Sequence, residues 1–314
     1  MGRSSGVGFR GVLYTEGKGG SAVGVDGGHA ALLQRMDEDL VLRGVASNTR
    51  MSYLRHARLF LERCDRPVEA LTTEDIRRFL RFLLTERGVA GSTANVYSAA
   101  LRFLFAVTLN RPLNYLQIPR AKPRKTLPYV LSRTQVADIL AQSATPKHRA
   151  LFALIYGSGL RVSEAAALHV AAIDSAAMRV FVAGGKGHKD RYTILAQRAL
   201  EALRDYWRAY RPQHPDGWLF PGPGASGHIT SSGIALAFEQ AVGRAGITAA
   251  VSIHTLRHCF ATHLLEEGVP LLQIKDLLGH ASLHSTTVYL HLANLTTGVR
   301  SPLDTLAASV PTDG

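Results

Sequence analysis

Residues 252–268 read SIHTLRHCFATHLLEEG, and residues 277–292 read LLGHASLHSTTVYLHL. Ser252 is a good N-cap for a helix that Gly268 and Pro270 close. Ile253, Leu256, Phe260, Leu264 and Leu265 make its apolar stripe at helical spacing. His254 and Arg257 stand three apart and share one face. A histidine presented beside an arginine suits stabilisation of a pentavalent phosphate. His254 and His258 have the spacing of a helical zinc pair, but position 255 is threonine, so the glutamate of a zinc protease is missing. His258 and His263 therefore read as packing or hydrogen-bonding residues. In the second stretch His280 follows Gly279 at a helix end, and Tyr289 comes nine positions later. Taken alone, that histidine is an ordinary cap and that tyrosine an ordinary core residue.

Upstream, GSGLRVSEAAAL (157–168) ends one helix at Gly157 and Gly159 and starts another at Arg161. An arginine beside helix N-terminal amides is well placed to hold a phosphate. Glu164 reads as structural, orienting Arg161. Between these words lies MRVFVAGGKGHKDRYTILA (178–196), two β-rich runs around a Gly/Lys-rich turn and hence a hairpin. Helical patterns cover about 133–143, 146–157, 162–168, 197–211, 231–245, 252–267, 270–279 and 284–292, the first opened by a capping box of Ser132 and Gln135. Residues 132–298 are thus expected to be mostly helical with one small antiparallel sheet.

The N-terminal part is organised differently. Residues 1–28 hold ten glycines and no apolar period, which predicts a disordered leader. Four helices are expected in 29–112. One covers about 29–44. The second, 47–64, brings Tyr53, Leu54, Ala57, Phe60 and Leu61 to one face. The third is capped by Thr72 and Asp75 and turns Ile76, Phe79, Leu80 and Leu83 inward; the fourth runs from Ser92 to about Leu109. Four short helices with short connections make a small bundle. Residues 113–131 carry Pro119, Pro123 and Pro128 with Arg120, Lys122, Arg124 and Lys125, a basic linker able to lie across a DNA backbone. A tail, 299–314, follows.

Length and charge fit a two-domain protein with a polyanionic partner. At 314 residues the chain exceeds one usual core, and its net charge of +12 comes mostly from arginine. No apolar run approaches the roughly 20 residues that span a bilayer, and the N-terminus lacks signal-peptide character, so a cytoplasmic protein is expected. Two cysteines, Cys64 and Cys259, are too few for a disulfide framework or a four-thiolate metal site and read as buried thiols.

Together, Arg161, Lys186, His254, Arg257, His280 and Tyr289 resemble, in order, the active-site constellation of the tyrosine recombinase (phage integrase) family. The surrounding words GLRVSE, GKG, HTLRHCFATHLLEEG and LGH match as well, and the spacing from Arg257 to His280 to Tyr289 is similar to the Xer branch. More loosely, SNTRMSYLRHARLFL, with Arg50 and Arg55, and GSTANVYSAALRFLF resemble the family's core-binding helices that approach DNA. The resemblance implies a mainly α fold, with a helical core-binding bundle and a catalytic domain carrying a small sheet. It implies DNA strand cleavage and rejoining through a 3′-phosphotyrosyl link to Tyr289. Arg161 and Arg257 would hold the phosphate, Lys186 would protonate the leaving oxygen with Lys189 on the backbone, His254 would accept or position the tyrosine's proton, and His280 would bond the phosphate. No acidic cluster for magnesium stands out, so neither metal nor cofactor is expected.

The expected partner is double-stranded DNA, bound by a tetramer of this chain or of this chain with a related recombinase, through a Holliday junction. Leu303 and Leu306 would dock the tail on a neighbour. The plan looks Xer-like or like a small integrase of a mobile element. Two other readings stay open: a relaxase of the type IB topoisomerase kind, and a catalytically silent DNA-binding protein.

Overall fold

A computed structural model of the chain describes residues 25–64, 66–111, 118, 120–122, 128–184, 190–223 and 227–293, with side chains from Gly28 onward. It divides into two units, Met1–Lys125 and Thr126–Gly314.

The first unit is a helical bundle of α1 (Val25–Leu42), α2 (Ser47–Arg63), α3 (Thr73–Thr85) and α4 (Gly91–Phe103). Each helix buries the stripe that its period announces. Ala57, Phe60 and Leu61 of α2 are fully shielded, as are Met36 and Leu40 of α1 and Ile76 of α3. Phe60 meets Phe79 edge-on at 5.3 Å, and each such side chain contributes about 1.5–3 kcal/mol when buried. Thr72 opens α3 as expected: its N–H and hydroxyl both donate to the Asp75 carboxylate at 2.8 Å. The fourth helix departs from the sequence expectation at its end. Residues Leu104–Thr108 form a π-helical turn, with the Leu109 N–H donating to the Leu104 carbonyl at 2.9 Å. Widening the turn lets Leu104 and Phe105 both face the core.

The second unit is mainly helical: α5 (Arg133–Ala141), α6 (Pro146–Ser158), α7 (Val162–Ala166), α8 (Gln197–Tyr210), α9 (Ser231–Arg244), α10 (Ile253–Glu266), α11 (Leu271–Leu278) and α12 (His284–Thr287). Ser132 and Gln135 form the expected cap of α5. Helix α6 lies at the centre, buried from Ala150 to Ile155, and packs against α8, α9 and α10. This is why that stretch, ALFALI, is apolar on every side. The sheet is antiparallel in the order β1 (Ile173–Asp174), β2 (Arg179–Val182), β3 (Arg191–Ile194). Strands β2 and β3 are the expected hairpin, with Val182 opposite Arg191. The two-residue β1 is an addition, too short to leave a periodic signal. A smaller core of Phe260, Ala261, Leu265, Ile274, Leu278 and Tyr289 holds α10 and α11 to the segment that carries the tyrosine.

Cys259 is buried, and its sulfur accepts the Leu131 N–H at 3.2 Å. Cys64 is half-buried, contrary to expectation, because it caps the end of α2.

Candidate active site

Helix α6 stops at Gly159, whose φ of +63° suits glycine; a Cβ there would collide with the Phe260 ring. The chain then buries Leu160 and presents Arg161 as the N-cap of α7. Glu164, three residues on, accepts the Arg161 N–H at 2.8 Å and its guanidinium at 2.5 Å. The same carboxylate takes two bonds from Arg191 of β3, at 3.0 and 2.7 Å. Arg257 of α10 approaches it to 3.8 Å. Burial pushes the Glu164 carboxyl upward, but the bonds from Arg191 and Arg161 outweigh it and hold the pKa at about 2. Glu164 is therefore an anion set among three cations.

Arg257 is 5% exposed and donates to the Gly159 carbonyl at 2.6 Å and the Leu278 carbonyl at 2.8 Å. Burial, then the neighbouring Arg161, lowers its pKa to about 10, so it stays cationic at neutral pH. Arg161 reaches the Gly279 carbonyl at 3.4 Å, one residue before His280. Arg191 donates to the Leu277 carbonyl at 3.0 Å. A glycine is needed at 279: its φ is +62°, and a Cβ would sit 2.7 Å from Arg191 Cδ. Three arginines from three elements thus converge on the end of α11.

Tyr289 lies in a 3₁₀ turn, Val288–His291, and is 2% exposed. Its hydroxyl is 3.2 Å from His258 Nδ1, and its ring stacks on His280 at 6.4 Å and 13°. Burial raises its pKa, and Arg257 and Arg161 pull it back. His280 Nδ1 is 2.9 Å from Thr286 Oγ1. Burial, then Arg257, Arg161 and Arg191, lower its pKa to about 4, so it is neutral at physiological pH. His254 lies on α10 open to solvent but partly desolvated by its neighbours, and that desolvation, then Arg257 and Arg161, lowers its pKa.

Of the six residues singled out in the sequence, Arg161, His254, Arg257, His280 and Tyr289 come together here. Lys186 lies outside the described residues, as do Lys189, Arg124, Lys125, residues 1–24 and the tail with Leu303 and Leu306. In the first unit Arg50 pairs with Asp37 at 2.7 Å, while Arg55, Arg120 and Lys122 are exposed. Arg120 lines an open groove with Ser52 and Tyr53 of α2 and Asn95 of α4. Two members of the cluster escaped the sequence reading. Arg191 was not singled out in the sequence, and His258 was read as a packing or hydrogen-bonding residue without its partner, Tyr289, being foreseen. Among the described residues no three His, Cys, Asp or Glu are grouped to hold a metal ion, and no helix is long and apolar enough to cross a membrane.

Comparison with known proteins gives consistent matches over both units. Residues 130–295 match the phage integrase family, and residues 32–115 match the phage integrase N-terminal SAM-like domain. A Sinorhizobium fredii (strain NBRC 101917 / NGR234) protein that carries an integrase/recombinase name, y4qK, is 42% identical over 285 residues, covering 90% of this chain and 91% of its own. The tyrosine recombinase XerD of Rhizobium meliloti (strain 1021) is 34% identical over 284 residues, covering 83% and 89%. Among solved structures, the XerH site-specific recombinase bound to its palindromic difH substrate in a post-cleavage complex superposes with a TM-score of 0.63 at 21% identity, over 86% of this chain and 82% of that one. That likeness is one of fold.

Proposed function

The chain belongs to the phage integrase family and is a Xer-like, tyrosine-type site-specific recombinase, and from that premise we propose that it cleaves and rejoins DNA through a 3′-phosphotyrosyl link at Tyr289, without metal or ATP. The observation that carries this reading is the Tyr289 hydroxyl, hydrogen-bonded to His258 on a ring that stacks on His280, within the field of Arg161 and Arg257.

The chemistry follows from charge. A phosphodiester repels a nucleophile until its negative oxygens are neutralised. Arg161 and Arg257 would hold the non-bridging oxygens by charge-assisted bonds, each donor worth a few kcal/mol toward the transition state. The Arg257 donors rest on two backbone carbonyls, with Glu164 3.8 Å away, so the scissile phosphate would compete with those carbonyls for the guanidinium. His254 would accept or position the tyrosine's proton, and His280, beside the arginines, would hydrogen-bond the phosphate. Lys186 would donate a proton to the departing 5′ oxygen. The phosphotyrosyl bond keeps the energy of the phosphodiester, so a 5′-hydroxyl can reverse it.

The substrate would be two double-stranded sites, exchanged through a Holliday junction by four protomers, either copies of this chain or this chain with a related recombinase. The segment 299–314 would dock between neighbours, and the exposed arginines of the first unit, with Arg124, Lys125 and Lys189, would contact backbone phosphates. Domain roles follow: 29–112 for core binding, 113–131 as linker, 132–298 for catalysis.

The test uses suicide DNA substrates, nicked near candidate sites flanking the chain's own gene, with EDTA present. The wild type should leave a protein–DNA adduct on a denaturing gel, and Tyr289→Phe should leave none. An equal adduct from Tyr289→Phe would defeat the assignment, and an adduct abolished by EDTA would defeat the metal-free mechanism.

A further inference from the structure

We propose that His258 is a further catalytic residue of this site, the general base that takes the Tyr289 phenol proton as the oxygen attacks phosphorus. The proposal rests on Tyr289 being the nucleophile and moves acceptance of its proton from His254, which keeps a positioning role, to His258. Three observations carry it.

The first is contact. His258 Nδ1 and the Tyr289 hydroxyl are 3.2 Å apart, with ring centroids at 5.8 Å and 51°. In the tautomer protonated at Nε2, Nδ1 accepts from the phenol, which is the geometry a proton transfer requires. The second is exclusion of the neighbours. His280 lies more nearly parallel to the tyrosine ring, at 13°, but its centroid is farther away at 6.4 Å and its Nδ1 faces the Thr286 hydroxyl. His254, one helical turn before His258, is exposed and free to meet a phosphate; among the described residues the tyrosine hydroxyl bonds to His258. The third is charge. His258 faces His254 and Arg257 on its own helix and Tyr289 and His280 from the segment opposite. Burial, then His254 and Arg257, hold its pKa down, so it is neutral at rest and able to accept a proton. A phosphate docked on Arg257 and Arg161 would cancel much of that positive field and raise the proton affinity of His258. The base would thus gain strength when substrate arrives.

The step balances. The phenol O–H breaks and its proton goes to His258 Nδ1 as the phenol oxygen bonds to phosphorus. The bond from phosphorus to O5′ then breaks, and O5′ takes a proton from Lys186. Rejoining runs the same path backward, with His258 returning its proton to the phenol.

The test measures single-turnover cleavage of a suicide substrate by wild type, Tyr289→Phe, His258→Gln and His258→Ala. Glutamine keeps a hydrogen-bond partner for the phenol but accepts no proton. Cleavage by both His258 variants should slow by about 100-fold or more, with melting temperature and DNA binding near wild type for His258→Gln. Added imidazole should restore part of the rate to His258→Ala and none to His258→Gln. A 5′-bridging phosphorothiolate, whose sulfur leaves without an acid, should rescue neither. Cleavage by His258→Gln within about threefold of wild type overturns the proposal, as does rescue by the phosphorothiolate, which would place His258 at the leaving group. If Tyr289→Phe still forms the adduct, it is the nucleophile assignment that has failed. If it forms none while His258→Gln is normal, only the base assignment has.

Discussion

Glu164 is the residue on which the cluster turns, because one carboxylate bonds Arg161 and Arg191 and lies 3.8 Å from Arg257. Removing it would leave three neighbouring cations with nothing between them, and breaking such a buried network typically costs about 3–5 kcal/mol. Its pKa, held at about 2 against an ordinary 4.5, fixes the sign of the pH dependence. A depressed carboxyl contributes stability that is fully present above pH 4.5 and is lost as pH falls toward 2, here about 3 kcal/mol. Thermal melts across pH should therefore show Glu164→Gln well below wild type at pH 7 and the gap narrowing below pH 4. A gap that stays constant down to pH 2 would mean that the carboxylate's charge is not what holds the arginines. Arg161 and Arg257 were legible in the sequence because each sits in a distinctive word at a helix start or on a helix face. Glu164 was legible as a local partner of Arg161, three residues away. Arg191 was not, since its partners are 27 residues back and 86 ahead, and no local pattern records such a bond. His258 was hidden for a related reason: its four-residue spacing from His254 invites a comparison within the helix, whereas its contact lies on another element.

Between elements, the joint of α6 and α7 does most to place the site. Gly159 turns the chain so that Arg161 heads α7, and its own carbonyl holds Arg257. A methyl group at Gly159 would strike the Phe260 ring in a backbone conformation that disfavours a side chain. Gly159→Ala should cost about 2–4 kcal/mol and lower the melting temperature by roughly 5–15 °C. It should also slow cleavage, since moving that carbonyl moves Arg257. A variant with wild-type melting and cleavage would show the joint to be soft. The helices themselves were readable where a full stripe and a cap coincide, as in α2, α3 and α10. The π turn after α4 was not, because one widened turn changes the apolar period too little to see. Strand β1 was missed because two residues cannot alternate.

At the scale of the molecule, the net charge of +12 and two helical units matching the two parts of one family describe a protein built to hold DNA. Charge alone would not have said what is done to that DNA. The chemistry we propose is written in a few residues scattered from 161 to 289, of which folding brings Arg161, His254, Arg257, His280 and Tyr289 together. The central claim is that Tyr289 carries the DNA by a 3′ phosphate. It is tested most directly by trapping the adduct on a suicide substrate, digesting with nuclease and trypsin, and mapping the modified peptide by mass spectrometry. Residues 276–300 form one tryptic peptide in which Tyr289 is the single tyrosine. The account predicts that this peptide carries the residual nucleotide on Tyr289, and that the released DNA end bears a 5′-hydroxyl. A nucleotide on any other residue, or a tyrosine joined to a 5′ phosphate, would contradict it.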